Sequence, residues 1–548
     1  MNDSNSPVLT GATPAQDDAA KSASPGARPP LAFADTDSAK HWAKGLPLTN
    51  IAQLFDAVHG QLRALSAADF APRERATIAE VLRDQVAYLH TELARRYAGK
   101  AQPAVGRELQ AADQAITLWQ ALWEQYSACL KPLLEGDPEL SGVKSKLLQR
   151  GLYVGKQLVL VCGLARRVPP PALWHELHAY YRLAEMLECA VTAVSDELMG
   201  NAVGISCYST YTHALLLGLA DPCAMSVKQI ELTDRWLGMW SRKVFPYAQQ
   251  RETEGPVILA DVESPAGATL AVAAPRHAPT SMRFGYPGKL ATSVRGRLKR
   301  LQTGANPAEL QLGHDCSIEQ CATLLGHLDA RWYQVPRRAG EAARTTIELC
   351  GGGVGAAYFR IGGRTFDPKD PAGRLSFHGA QHLQALDALT GYDRGRDEAE
   401  RTWAWEPWSG TYEWREASVT RPSGTQHRWA LDQLVAVRDE ERLRVGCITR
   451  VAQDVHGEIA LSLRLWSATP KAIVVRPLST IVTEDPPLPT LLLGETPEDK
   501  PSLILPPRTF NPSRVLRSLD SGPERRFRLT RLIHRGADFE RVAFEETL

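Results

Sequence analysis

The hydrophobic period of this chain changes once, near residue 330, and a chain with two periods cannot fold as a single layer type. Before that point apolar residues recur at three- and four-residue spacing. Ile78, Val81, Leu82, Val86, Leu89, Leu93 and Tyr97 form one helical stripe. Ile116, Trp119, Leu122, Trp123, Tyr126 and Leu130 form a second, and Leu173, Leu177, Tyr180, Ala184 and Leu187 a third. From Thr345 onward the period is closer to two, in the runs 429–437, 444–451, 458–466 and 472–475, with turn-like clusters at 438–442 and 454–457 between them. Evenly spaced short strands of this kind predict a closed antiparallel barrel. The fold class is α+β, an N-terminal α-helical bundle followed by a C-terminal antiparallel β-barrel.

Composition shifts divide the chain further. Residues 1–36 are poor in apolar side chains and predict a disordered leader, because too little surface can be buried to offset chain entropy. Residues 37–245 read as the helical domain and 246–330 as a connector with short helices and a hairpin. Residues 331–484 read as the barrel, with an insertion near 366–402, and 485–548 as a Pro-rich linker with a β-rich tail. Ser226 with Gln229, and Ser317 with Gln320, have capping-box spacing and predict helix starts.

Lysine plus arginine (63) balances aspartate plus glutamate (62), so whole-chain charge gives no warrant for binding DNA or RNA, and any electrostatic site must be local. The nine cysteines are scattered through apolar segments without a Cys-x-x-Cys pair, the pattern of reduced, buried thiols. The apolar stretch at 157–165 is closed by Arg166 and Arg167, too short for a membrane span. With no secretory signal in its leader, the chain is expected in the cytoplasm.

The motifs argue against an enzyme. Gly351-x-Gly353-x-x-Ala356 follows a strand-like run, but Gly362-Gly363 interrupts the chain soon after. A bulged or closely packed strand is expected rather than a phosphate loop opening a helix. His314, Cys316, Cys321 and His327 could ligate zinc, yet Cys321 and His327 are separated by about 600° of helical rotation and point to different faces, so no metal is expected. Gly-x-Ser-x-Gly, His-Glu-x-x-His and Gly-Lys-Ser/Thr sequences do not occur. Two basic localities stand out. Arg283, Lys289, Arg295, Arg297, Lys299 and Arg300 run without an intervening acid, the pattern of a solvated face or of a docking surface for an acidic partner or a phosphate. The hinge 330–344 carries Arg331, Arg337, Arg338 and Arg344 against one acid, Glu341, just before the first predicted strand. Guanidiniums at a barrel mouth suit bidentate contacts to phosphates and a guanine edge.

The strand succession 429–437, 443–451 and 457–466, with a basic residue closing the middle strand, and the arginine-rich hinge before the barrel resemble the large PilZ-type cyclic-di-GMP receptors. In that family an Arg-x-x-x-Arg arm wraps the ligand and an Asp/Asn-x-Ser-x-x-Gly strand completes the pocket. Here Glu341 and Ala342 stand four residues after Arg337 and Arg338, and Arg344 comes six after Arg338. The second motif falls on Glu416, Ser418 and Arg421, which keeps the serine but has Glu416 for Asp/Asn and Arg421 for Gly. The resemblance implies cyclic-di-GMP as ligand, bound by Arg331, Arg337, Arg338, Arg344, Glu416, Ser418 and Arg421. It also implies a signalling output through a protein partner in motility, type IV pilus or surface-attachment machinery. The competing reading is a ligand-independent adaptor with a degenerate barrel, in which these arginines pair with acidic neighbours and hold barrel against bundle.

Overall fold

The computed structural model describes residues 30–199, 205–335, 345–368, 393–421, 424, 427–440, 442–478, 485–520 and 524–547. The helical half comprises α1 (Thr36–Lys44), α2 (Ile51–Ala67), α3 (Pro72–Tyr97), α4 (Gly106–Ser127), the short α5 (Leu130–Leu134) and α6 (Pro138–Ser141), α7 (Lys144–Leu164), α8 (Pro171–Met186), α9 (Cys207–Leu219) and α10 (Val227–Trp240). α7 is its axis. Its apolar residues are spread around the whole circumference, so only a fully enclosed position satisfies it, and every residue from Leu147 to Leu164 is buried. Two glycines set how closely α8 packs on it. A Cβ on Gly151 would lie 1.9 Å from the Tyr180 ring, and one on Gly155 would lie 2.5 Å from Leu177 Cδ2.

The charged residues buried on this enclosed helix are matched by carboxylates. Arg150 meets Glu80 at 2.8 Å and Asp196 at 3.0 Å, Arg83 meets Asp196 at 2.9 Å, and Lys156 meets Asp234 at 3.1 Å. Burial opposes the Asp196 charge, but Arg83 and Arg150 outweigh it and hold the carboxyl below the usual range.

The expected capping boxes form at Ser226–Gln229, opening α10, and at Ser317–Gln320. The connector is no linker. β1 (Val257–Asp261), β2 (Thr269–Ala271) and β3 (Met282–Gly285) make an antiparallel sheet in the order β2-β1-β3, which includes the expected hairpin. α11 (Gly288–Gln302) and α12 (Ile318–Tyr333) then place Leu290, Val294, Leu324, Leu328 and Trp332 in the same core as Trp236 and Trp240. The separate connector expected over 246–330 is thus part of the helical body. His327 bonds the Ala220 carbonyl at 2.8 Å, and Cys316 and Cys321 are joined as a disulfide, so these two are not the reduced thiols expected. The other seven cysteines are free and buried.

The β half is two closed barrels, not one barrel with a tail. β4 (Thr345–Cys350) leads into α13 (Gly353–Gly362) and, after α14 (Asp393–Thr402), come β5 (Glu406–Tyr412), β6 (Glu416–Arg421), β7 (Leu434–Asp439), β8 (Arg442–Gln453) and β9 (Ile459–Leu465). They close in the order β4-β5-β6-β9-β8-β7. β10 (Pro470–Pro477), β11 (Leu488–Leu493), β12 (Ser502–Leu505), β13 (Val515–Ser518), β14 (Arg526–Arg535) and β15 (Glu540–Thr547) close as β10-β11-β12-β15-β14-β13. The second closure depends on the distant pairings β12–β15 and β10–β13, which the intervening proline-rich stretch hides from a local reading.

The glycine-rich turn also corrects its expectation, since a helix does follow the strand. The N-terminus of α13 is already occupied. Asp538 of the second barrel lies where a Cβ on Gly353 would come within 3.3 Å of Oδ2, and its Oδ1 accepts from the Leu434 amide at 2.8 Å. Burial pushes this carboxyl up to about 6. Val354, Ala357 and Tyr358 share a core with Leu434, Val474, Leu491 and Phe539, so α13 is a wedge between the barrels.

Candidate functional site

Three loops at one end of the helical body seat the first barrel. After α3, Gln102 exchanges backbone hydrogen bonds of 2.8 and 2.7 Å with Trp429. After α7, the Val168 amide donates to the Gln453 carbonyl and the Gln453 amide to the Arg166 carbonyl, both at 2.8 Å. After α9, Asp221 stands in the left-handed region (φ 56°) ahead of a 3-10 turn at Pro222–Ala224.

Asp221 is where bundle and barrel electrostatics meet. It accepts from Arg331, on the last turn of α12, at 2.7 Å, and from Nε of Arg450, on β8, at 3.0 Å. Burial works against the Arg450 charge, but Asp221 outweighs it and holds the guanidinium above its ordinary value. Two guanidiniums share one carboxylate, which leaves local positive charge.

The sheet register carries that charge onto a hydroxyl-lined outer face. Arg450 on β8 stands opposite Ser462 on β9, Ser462 opposite Ser418 on β6, and Ser418 opposite Thr411 on β5. Neighbouring strands lie about 4.8 Å apart, so Arg450 and Ser418 are separated by roughly 10 Å along this row. Ala417 and Val419 face the barrel core while Glu416 and Ser418 are exposed, so two of the three residues expected from the second motif lie on this face. Glu416 stands opposite Arg464, which is also exposed.

The seven expected ligand residues are therefore placed unequally. Arg331, Glu416 and Ser418 lie on or beside the outer face. Arg421 has the opposite strand parity and pairs with the buried Glu406 at 3.4 Å, away from that face. Arg337, Arg338 and Arg344 lie outside the described residues, between α12 and β4. Sequence reasoning missed Asp221, Arg450 and Ser462. Strand alternation could have singled out Ser462, but the two arginine partners of Asp221 are 110 and 229 residues away in sequence.

Beside the seat, a groove of about 1000 Å³ runs between α4, α7 and α8 on one side and the β8–β9 turn on the other. Trp123, Leu158, Leu173 and Tyr180 line it from the bundle and Val455 from the barrel. One wall belongs to each body, so its width follows their relative position. Among the described residues no group of His, Cys, Asp and Glu side chains could hold a metal ion, and no helix is long and apolar enough to cross a membrane.

Residues 37–247 match the family described as the N-terminal domain of the cyclic-di-GMP receptor FimW, which covers α1 to α10. Residues 473–547 match the FimW C-terminal β-barrel domain, which is the second barrel. Neither description names an enzyme. The first barrel lies between the two matched segments. The chain is similar to the cyclic-di-GMP receptor FimW of Pseudomonas aeruginosa, 25% identical over 360 residues that cover 62% of this chain and 55% of the relative. It thus spans little more than half of that relative's length. No solved structure matches. With its helical body and its last barrel both matched, the chain belongs to the FimW family of cyclic-di-GMP receptors.

Proposed function

We propose that this chain is a cyclic-di-GMP-responsive signalling regulator that takes the nucleotide on the outer face of its first barrel. The observation that carries the reading is the row Thr411–Ser418–Ser462–Arg450, which ends at a carboxylate shared with Arg331. Hydroxyls and guanidiniums are the donors that a doubly charged cyclic dinucleotide requires, and the Glu416 carboxylate can accept from a guanine N1 and N2 edge. Arg337, Arg338 and Arg344, which precede β4 in sequence, are the proposed further ligands, and β4 pairs with β5, the strand beside Ser418.

The same geometry supplies a switch. A ligand shifts a conformation only through differential affinity for two states. A phosphate that competes with Asp221 for Arg331 and Arg450 would bind better once the bundle–barrel latch opens, and the groove between the two bodies would change width with it. Motility, type IV pili or surface attachment is the proposed output, reached through a protein partner. The ligand-independent adaptor has one observation in its favour, that Arg331 is engaged in an ion pair that ties bundle to barrel.

Calorimetric titration of cyclic-di-GMP into the full chain tests the two readings, with the Arg337→Ala, Arg338→Ala double variant and Ser418→Ala as controls. Saturable heat that is lost in the double variant and weakened in Ser418→Ala is expected. Absence of heat from the unaltered chain would sink the receptor reading and leave the adaptor.

A further inference from the structure

The basic run singled out in the sequence is not used by the barrel face; Arg283 on β3 pairs with Glu185, and α11 divides the rest into two faces. Arg295 turns to α12, where it meets Asp329 at 2.8 Å and lies 4.4 Å over the Tyr333 ring. At 100° per residue, Lys289, Ser293, Arg297 and Arg300 fall within an arc of roughly 80° on another side. Lys243, just beyond α10, reaches into that arc from below. Its Nζ donates to Ser293 Oγ, and Nη1 of Arg297 donates to the same oxygen.

Among the described residues no carboxylate is ion-paired with Lys243, Arg297 or Arg300, and hydrogen bonds and ring contacts order the group instead. Arg297 is held by the Leu310 carbonyl at 2.9 Å and lies 5.2 Å over the buried Trp240 ring, so its guanidinium is fixed, and among the described residues its hydrogen bonds run from Nε and Nη1. Lys243 and Arg297 both sit below their ordinary values, each first by burial and then by a neighbouring cation, Arg297 for the lysine and Arg300 for the arginine. Asp329 is taken by Arg295 on the other face, and Glu309 is exposed beside Leu310. Ser293 accepts from both cations, which leaves its hydroxyl proton to donate outward.

We infer that Lys243, Ser293, Arg297 and Arg300, flanked by Lys289, form a second anion site, distinct from the barrel face, that takes a phosphate group. Like charges fixed this close repel, and a phosphate entering among them removes that repulsion while filling the free N–H and O–H donors. The phosphate could belong to a soluble phosphorylated ligand or to an anionic lipid headgroup, since the donors are the same for both.

The test uses the full chain at constant ionic strength. Inorganic pyrophosphate is titrated calorimetrically, and co-sedimentation is measured with phosphatidylcholine vesicles that contain or lack phosphatidylglycerol. The variant is Lys243→Gln, Arg300→Gln, which keeps Arg297 packed on Trp240. A second variant, Ser293→Asp, supplies an internal carboxylate and should raise the melting temperature while abolishing binding. Saturable pyrophosphate binding that weakens about tenfold or more in the double variant supports a soluble ligand. Binding only to phosphatidylglycerol vesicles, with the same loss, supports a headgroup. Binding unchanged in both variants, or no binding to either probe, overturns the inference. Cyclic-di-GMP titrations separate it from the barrel-face reading. They should be unaffected by Lys243→Gln, Arg300→Gln, and their loss would move the nucleotide itself to α11.

Discussion

Asp221→Asn isolates the proposed latch. Asparagine preserves the side-chain volume and tolerates the left-handed backbone that Asp221 adopts (φ 56°, ψ 69°), so only the charge shared between Arg331 and Arg450 is removed. Asp221 is 18% exposed, Arg450 28% and Arg331 40%. The Arg331 pair is thus near the surface limit of about 0.2–1 kcal/mol. The Arg450 pair, discounted for its own exposure from the roughly 1.5–3 kcal/mol of a charge-assisted hydrogen bond, contributes somewhat more. The latch is then worth about 1–2 kcal/mol, and urea denaturation of the variant should show a loss of that size. If cyclic-di-GMP must displace Asp221 before it binds, the same energy returns to the ligand. Its affinity should rise by about five- to thirtyfold, at about 1.4 kcal/mol per decade. The assay is paired calorimetry and denaturation on both proteins. Lower stability with unchanged or weaker nucleotide binding would refute the competition, and unchanged stability would refute the latch.

Three further outcomes follow from the same geometry. Asp196→Asn removes one of the two carboxylates that Arg83 and Arg150 share, leaving both, each with a side chain 4% exposed, to Glu80 alone, and should cost about 1.5–3 kcal/mol in urea denaturation. Gly151→Ala drives a methyl group into the Tyr180 ring and should destabilise by about 1–3 kcal/mol or more, whereas Gly238→Ala, with open space around it, should not. His534 of the second barrel faces Asp432 of the first at 3.4 Å, and Asp432, followed by Cys447, holds its imidazole up at about 9. Its contribution is fully present below the unfolded value of about 6.5 and is lost as pH rises through about 9. A melting temperature that falls over that window in the parent chain, and falls less in His534→Gln, is the expected result.

Local pattern carries what repeats locally. Helical stripes such as Ile78 to Tyr97, the two capping boxes, and the alternation that turns Ala417 and Val419 inward were all legible in sequence, because each is set by neighbours within a few residues. Among the expected ligand residues, alternation also put Glu416 and Ser418 on one face. It equally implied that Arg421 could not share that face, since it differs in parity. The interleaved β-half was harder to divide. Strand runs do not announce which partner closes a barrel, and a proline-rich interval looks the same inside a barrel as between domains.

Tertiary structure decided every feature that brings distant residues together. Only the folded chain shows that Asp221 collects Arg331 and Arg450 from two different bodies, that Asp538 fills the N-terminus of α13, and that Lys243 joins Ser293 and Arg297 on α11. Periodicity is a property of one segment, while an ion pair or a closed barrel is a property of two segments whose approach depends on everything packed between them. The sequence by itself therefore determined the order of a helical body and β-barrel architecture, and which face of each element meets water. The seating of barrel on bundle, and with it the position of every charge that could respond to a phosphate, came from long-range packing alone.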